Sequence, residues 1–116
     1  MFAVKRVYDP PSPHDGVRIL VDRLWPRGLT KEAAAIDDWV KEVAPSNELR
    51  NWFHANVERW DDFLARYAKE LQTPPARDAM AALRGRAKHG RVTLLFSSKE
   101  TDRNNATALA AFLADG

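Results

Sequence analysis

The segment VRILVDRLWPRGLTKE, residues 17–32, begins as an apolar strand and changes within a few residues to a turn and a helix start. Its first five residues are almost continuously aliphatic, which is typical of a parallel strand buried on both faces. VTLLF, residues 92–96, repeats this pattern. We therefore predict an α/β fold, a layered domain with a small, mostly parallel sheet flanked by helices.

Apolar residues at helical spacing predict the layers that cover this sheet. The clearest stripe predicts a helix of about four turns, and two further stripes predict helices nearer the C-terminus. Phe2 to Tyr8 predicts an opening strand, whereas residues 37–44 fit either a strand or a helix, and we favour the strand. The three stripes are Trp60, Phe63, Leu64, Tyr67 and Leu71; Met80, Leu83 and Ala87; and Ala106, Leu109, Ala110 and Leu113.

Capping residues predict where the helices begin. Ser46 is expected to cap a helix that carries Leu49, Trp52 and Phe53, and Thr30 to cap a short helix over residues 31–35. Thr73 is expected to start the helix of Met80, with Pro74 at its first position and Gly90 after its end. Either Thr101 or Asp102 is expected to cap the last helix.

Length and composition exclude several classes of protein. The 116 residues suit one domain over residues 1–116, and the absence of cysteine excludes disulfides, thiolate metal sites and a cysteine nucleophile. No apolar run approaches the roughly 18 residues of a membrane span, and the charged N-terminus does not resemble a secretory signal, so a cytoplasmic protein is expected. A net charge of +2 is too small to indicate a dedicated nucleic-acid-binding protein.

Polar residues follow the first buried strand. Asp22, Arg23, Arg27 and Thr30 lie where a type I turn over residues 25–28 would hold Arg27 just ahead of a helix N-terminus. A guanidinium, a hydroxyl and free backbone N–H groups in one place would bind phosphate or carboxylate. The alternative is that the arginines pair with nearby aspartates and only brace the loop, although exposed pairs contribute only about 0–1 kcal/mol.

Ser97, Ser98 and Lys99 follow the second buried strand and would form another edge that accepts anions. Trp25 precedes a proline and is either a wall of the pocket or part of the core. The basic run of residues 84–91 fits a solvated helix end better than a nucleic-acid contact.

Other kinds of site have little support in the sequence. His14, His54 and His89 lack metal-ligand spacing, so no metal is predicted, and Asp9, His14 and Asp15 on one loop are a poor third choice for a divalent ion. No cofactor motif, glycine-rich phosphate loop or nucleophile elbow is present.

The chain carries four distinctive segments, KRVYD, ILVDRLWPRGL, DDWVKEVAPSNELRNWF and VTLLFSSKE. In these segments it resembles the YeaO-like branch of a large bacterial family of domains of unknown function. The resemblance implies a small cytoplasmic α/β protein and no established activity. Distant branches carry a Cys-His-Arg element at the start of the last helix, where this chain has Asn104 and Asn105, so amides replace any thiol or imidazole chemistry. The recurring polar set of the family falls here on Asp22, Arg23, Arg27, Lys41, Ser46, Arg50, His54 and Lys99.

Two hypotheses about function follow. The first is a site for a phosphate-bearing ligand, with Arg23, Arg27 and Lys99 as charge partners and Thr30 as a donor and acceptor. Whether such a site would turn over its ligand is left open, although group transfer or hydrolysis would suit it better than redox chemistry. The second is a structural or protein-interaction module whose arginines brace loops.

Overall fold

A computed structural model describes residues 2–115 of the chain, which form a parallel sheet packed between helices. The predicted α/β class is therefore confirmed. In chain order the elements are β1 (Phe2–Arg6), β2 (Val17–Leu20), α1 (Lys31–Ala34), β3 (Asp38–Trp39), α2 (Asn47–Ala55), α3 (Trp60–Leu71), α4 (Ala76–Ala87), β4 (Val92–Phe96) and α5 (Asn105–Asp115).

The four strands have the order β1-β4-β2-β3, and every pairing is parallel. Strand β4 lies inside the sheet, where Leu94 is opposite Val4 of β1 and Ile19 of β2. All five residues of β4 are buried, as the continuous apolar sequence predicts for a strand covered on both faces. Because the strands are parallel, their carboxyl ends lie along one edge of the sheet.

Two cores of different size cover the faces of the sheet. Side chains of α2 to α5, including Phe63, Tyr67 and Leu109, pack with Leu94 and Phe96 of β4 in the larger core. The smaller core holds Leu20 and Leu95 under α1 and the loop before it, with Trp25 and Trp39 packed against it. No helix within residues 2–115 is long and apolar enough to cross a membrane.

The ambiguous segment, residues 37–44, forms neither a full strand nor an α-helix. Asp38 and Trp39 pair with Ile19 and Leu20, and a 3-10 turn, Lys41–Val43, follows at once. The turn is held by the buried hydroxyl of Tyr67, which donates a hydrogen bond to the carbonyl of Val43. Both expectations for this segment were therefore only partly right.

Two predicted helix starts are wrong because the residues concerned bond to other groups. The Thr73 hydroxyl donates to the Glu70 carbonyl at 2.7 Å, so it ends α3, and α4 begins only at Ala76. Helix α5 is capped by Asn104, whose side-chain oxygen accepts the Thr107 N–H at 2.9 Å, and not by Thr101 or Asp102.

The predicted caps Ser46 and Thr30 are confirmed, since each hydroxyl accepts a backbone N–H three residues ahead. The observed turn differs from the type I turn that was predicted over residues 25–28. The turn residues are Arg27 and Gly28, and the φ of 74° at Gly28 suits the third position of a type II turn.

Candidate functional site

A cleft of about 690 Å³ lies at the carboxyl ends of the strands. Tyr8 follows β1, Asp22 follows β2 and Ser97 follows β4, and all three line the cleft. Helices α2 and α5 complete its walls. This is the position at which open parallel sheets bind their ligands, because the loops after the strands converge there.

Asp22 is held rigidly by its neighbours. Its Oδ2 accepts both the backbone N–H of Ser97 at 2.9 Å and the Ser97 hydroxyl at 2.7 Å. Its Oδ1 accepts the side-chain amide of Asn105 at 2.9 Å. The carboxylate therefore links β2, β4 and α5, and it forms no ion pair with Arg23 or Arg27.

Arg23 serves mainly as a brace. Its Nε and Nη2 donate to the carbonyls of Pro45 and Ala44, each at 3.1 Å, which fixes the loop that leads into α2. This is the loop-bracing role that the alternative hypothesis gave to the arginines, although Arg23 also lines the cleft.

Helix α2 presents Arg50, Phe53 and His54 to the cleft, at positions i, i+3 and i+4 on one face. Its start is fixed by Ser46, whose hydroxyl also donates to Glu70 of α3 at 2.6 Å. The Nε of Arg50 is shielded from solvent and has no hydrogen-bond partner among residues 2–115. A buried hydrogen-bond donor without an acceptor costs about 1–3 kcal/mol, so native proteins rarely contain one.

The segment before α5 forms another side of the cleft with Arg103, Asn104 and Asn105. Backbone N–H groups of Arg103 and Asp102 donate to the carboxylate of Glu100 and hold its pKa below the usual value. The Arg103 side chain is exposed and forms no side-chain hydrogen bond or salt bridge within the described chain. It therefore adds an exposed positive charge to the rim, close enough to Glu100 to interact with that carboxylate electrostatically.

Arg27 also lines the cleft. The Tyr8 hydroxyl donates to its backbone carbonyl at 2.8 Å, which fixes the turn, while the guanidinium is exposed and makes no hydrogen bond or salt bridge within residues 2–115. Trp25 is both a wall of the pocket and part of the core. It lines the cleft, and it packs edge-on to Trp39 with ring centroids 5.5 Å apart.

Within residues 2–115, the cleft lining includes four arginines and three carboxylates, together with the imidazole of His54. Asp22 and Glu100 each accept hydrogen bonds from neighbouring neutral groups, and Arg23 donates to carbonyls. The charged groups with no such bond within the described residues are Arg27, Arg103 and Glu58, together with the Nε of Arg50. The positive charges in this group outnumber the negative charge.

The structure brings together most of the residues singled out from the sequence. Asp22, Arg23, Arg27, Arg50, His54 and Ser97 line the cleft. Lys41 and Ser46 line a separate hollow beside Glu70, and neither Thr30 nor the exposed Lys99 lines either space. The structure therefore does not place Thr30 or Lys99 in the cleft with Arg27.

Sequence reasoning missed several lining residues. Arg103 was not considered because the start of α5 had been placed too early, and Asn105 was noted as an amide at that helix without being assigned to the site. Tyr8, Leu24 and Val57 were not considered for the site. The sequence feature that could have indicated them is a large apolar side chain in a loop. The divalent-ion option on the first loop is not supported, because Asp15 is bonded to Arg18 and Lys5, and residues 2–115 contain no group of three or more possible metal ligands.

A parallel α/β domain with a cleft at its strand ends is thus the class that fold and site define. The family model described as the inactive DUF488-N3 subclade matches residues 1–116, and the chain belongs to that family. The predicted YeaO-like membership is confirmed by similarity to the uncharacterized protein YeaO of Escherichia coli strain K12, which is 47% identical over 110 residues covering 94% of this chain and 93% of YeaO.

Mycobacterial proteins are also similar. The uncharacterized protein Rv3073c of Mycobacterium tuberculosis strain H37Rv is 42% identical over 110 residues, which cover 95% of this chain and 91% of that protein. The uncharacterized protein Mb3100c of Mycobacterium bovis has the same identity and coverage. No solved structure matches the chain.

Proposed function

We propose that the cleft binds a small ligand that carries a phosphate group. The observation that supports this above all is that three arginines, Arg27, Arg50 and Arg103, line a single concave space at the strand ends. Arginine suits phosphate because its planar N–H groups can donate two parallel hydrogen bonds.

The free state of these arginines also supports binding. Arg27 and Arg103 have no ion pair to break within the described residues, and the Nε of Arg50 lacks an acceptor. An anion would therefore gain charge-assisted hydrogen bonds without first displacing a protein carboxylate. The N-terminal end of α5 adds its positive dipole from the side of Asn105.

We further propose that the protein binds this ligand without converting it. The Asp22 carboxylate accepts hydrogen bonds from Ser97 at Oδ2 and from Asn105 at Oδ1, so it serves as a structural acceptor that links neighbouring elements. Asn104, at the position where distant relatives carry reactive side chains, caps a helix instead. The description of the subclade as inactive agrees with this proposal.

Calorimetry with inorganic phosphate, pyrophosphate, ribose 5-phosphate and nucleoside monophosphates at low salt tests binding, because surface charge interactions weaken as salt rises. Replacing Arg27→Ala or Arg103→Ala should weaken binding of the tightest compound by more than about 1 kcal/mol, the value of a charge-assisted hydrogen bond. Both side chains are exposed, so neither change should disturb folding.

Arg77→Ala is the matched control, because Arg77 is an exposed arginine of α4 that lies outside the cleft. This variant should bind like the unaltered protein. The proposal is contradicted if none of the compounds binds, or if Arg27→Ala, Arg103→Ala and Arg77→Ala all bind equally well.

A further inference from the structure

The exposed apolar side chains of the protein are concentrated at the cleft. Across the described residues, the large hydrophobic side chains with high exposure are Tyr8 at 40%, Leu24 at 57% and Val57 at 59%. All three line the same cleft as the arginines. Exposed apolar groups that are scattered need no explanation, whereas a cluster at a concave site marks a surface for binding.

Apolar side chains also line the deeper part of the cleft, beside the buried Asn104. Phe63 and Pro45 are buried and line it, and Phe53 and Trp25 are partly buried beside them. The cleft thus combines an apolar lining with a few charged groups, the composition typical of a site for a small organic molecule. Inorganic phosphate alone would leave these apolar surfaces uncovered.

We propose that the ligand is a nucleoside monophosphate, whose phosphate binds the arginines and whose base lies against Leu24, Trp25 and Val57. This inference rests on the proposed phosphate-binding function and names its ligand class. A flat aromatic base fits these side chains because it buries apolar area and stacks on an indole or guanidinium face.

Asp22 provides a partner for the sugar. Each carboxylate oxygen has two lone pairs, and Oδ1 of Asp22 accepts one hydrogen bond, from Asn105 at 2.9 Å. The second lone pair can accept a hydroxyl of ribose, a contact that aspartates after strands make in other nucleotide sites. A volume of about 690 Å³ also lies within the range of about 300–1,000 Å³ that pockets for such ligands occupy.

The test compares ribose 5-phosphate with AMP, GMP, CMP and UMP by calorimetry, and uses adenosine as the compound without phosphate. The tightest monophosphate should bind about tenfold more strongly than ribose 5-phosphate, because the base covers apolar side chains that the sugar does not reach. The double variant Leu24→Asn and Val57→Thr keeps the size of both exposed side chains and removes their apolar character. The double variant should lose most of the extra affinity for the nucleoside monophosphate, while ribose 5-phosphate binds as before.

The outcomes separate the two proposals. Equal binding of ribose 5-phosphate and every nucleoside monophosphate would overturn the inference and leave the phosphate site intact. Failure of all phosphates to bind, or binding of adenosine as tight as that of AMP, would overturn the phosphate site itself. An undiminished advantage for the base in the double variant would also overturn the inference, since the proposed contacts would then contribute nothing.

Discussion

At the scale of single residues, Asp22 determines how the cleft is shaped. One carboxylate accepts hydrogen bonds from the backbone and hydroxyl of Ser97 and from the amide of Asn105. Asn105 in turn donates to the carbonyl of Val21 at 3.1 Å. These contacts hold the ends of β2 and β4 and the start of α5 at fixed positions around the cleft.

Replacing Asp22→Asn should lower the free energy of unfolding by about 1–3 kcal/mol, because the new amide nitrogen faces donors and leaves at least one of them without an acceptor. Urea denaturation measures this loss. Asp9→Asn is the control, since Asp9 is exposed and its side chain bonds to no described residue. Equal stability of the two variants would show that the Asp22 contacts contribute little.

At the scale of elements, α2 positions Arg50 in the cleft because hydrogen bonds of Ser46 to Leu49 and to Glu70 fix the start of the helix. The Ser46 hydroxyl accepts the Leu49 N–H at 3.1 Å and donates to Glu70, and Glu70 also accepts the Ser46 N–H at 2.8 Å. The cap therefore joins α2 to α3 and sets the direction in which Arg50 points.

Replacing Ser46→Ala should cost about 1–2 kcal/mol of stability, because it removes the cap and leaves Glu70 without one donor. Thr30→Ala, which removes only the cap of the one-turn α1, should cost less. Urea denaturation of both variants compares them. A larger loss for Thr30→Ala would contradict the proposed importance of the contact with Glu70.

Local patterns in the sequence predicted the elements whose structure depends on local contacts. The apolar stripe of Trp60 to Leu71 and the caps at Ser46 and Thr30 are as predicted, since each depends on residues three or four positions apart along the chain. The start of α4 was wrong because Thr73 bonds back to Glu70, an alternative that sequence spacing does not distinguish from a cap.

The candidate site was predictable only in part, for a similar reason. Placing polar residues after two buried strands located the cleft, because parallel strands align their carboxyl ends. The commitment of Arg23 to the carbonyls of Ala44 and Pro45, and the exposed position of Lys99 outside the cleft, depend on long-range packing. Residue type and order do not reveal such contacts.

At the scale of the whole molecule, a buried ionic cluster lies between β1, β2 and the small core. Asp15 and Arg18 are 7% and 4% exposed, and Arg18 Nη1 is 2.6 Å from Oδ2 of Asp15. Arg18 also donates to the carbonyls of Ala34 and Ala35 at the end of α1, while Lys5 contacts Asp15 at 3.2 Å. The cluster therefore connects the first strand, its loop and the helix that covers the smaller core.

This cluster predicts an acid-dependent loss of stability. Burial alone would raise the pKa of Asp15, but hydrogen bonds from the Ser12 backbone, Arg18 and Lys5 outweigh it and leave the pKa below its usual value. The folded protein therefore releases this proton more readily than the unfolded chain. The stabilisation is complete above the ordinary aspartate pKa of about 4 and is lost as the pH falls through the lower folded value.

Urea denaturation between about pH 7 and pH 2 checks this prediction by comparing the unaltered protein with Asp15→Asn. The variant should be less stable by roughly 3 kcal/mol at neutral pH, because Arg18 loses its buried counter-charge. The difference should shrink in acid, where the natural carboxylate is also neutral. A constant difference over the whole pH range would contradict the account.

The arrangement of the sheet has one more consequence, for self-association. An exposed edge strand offers unpaired backbone groups to which another chain can add, and a long flat edge is a route to aggregation. One edge here is β3, only two residues long and followed directly by a 3-10 turn. An incoming strand would find a template too short to nucleate a stable ladder, so this margin of the molecule resists fibrillar growth without needing a covering helix.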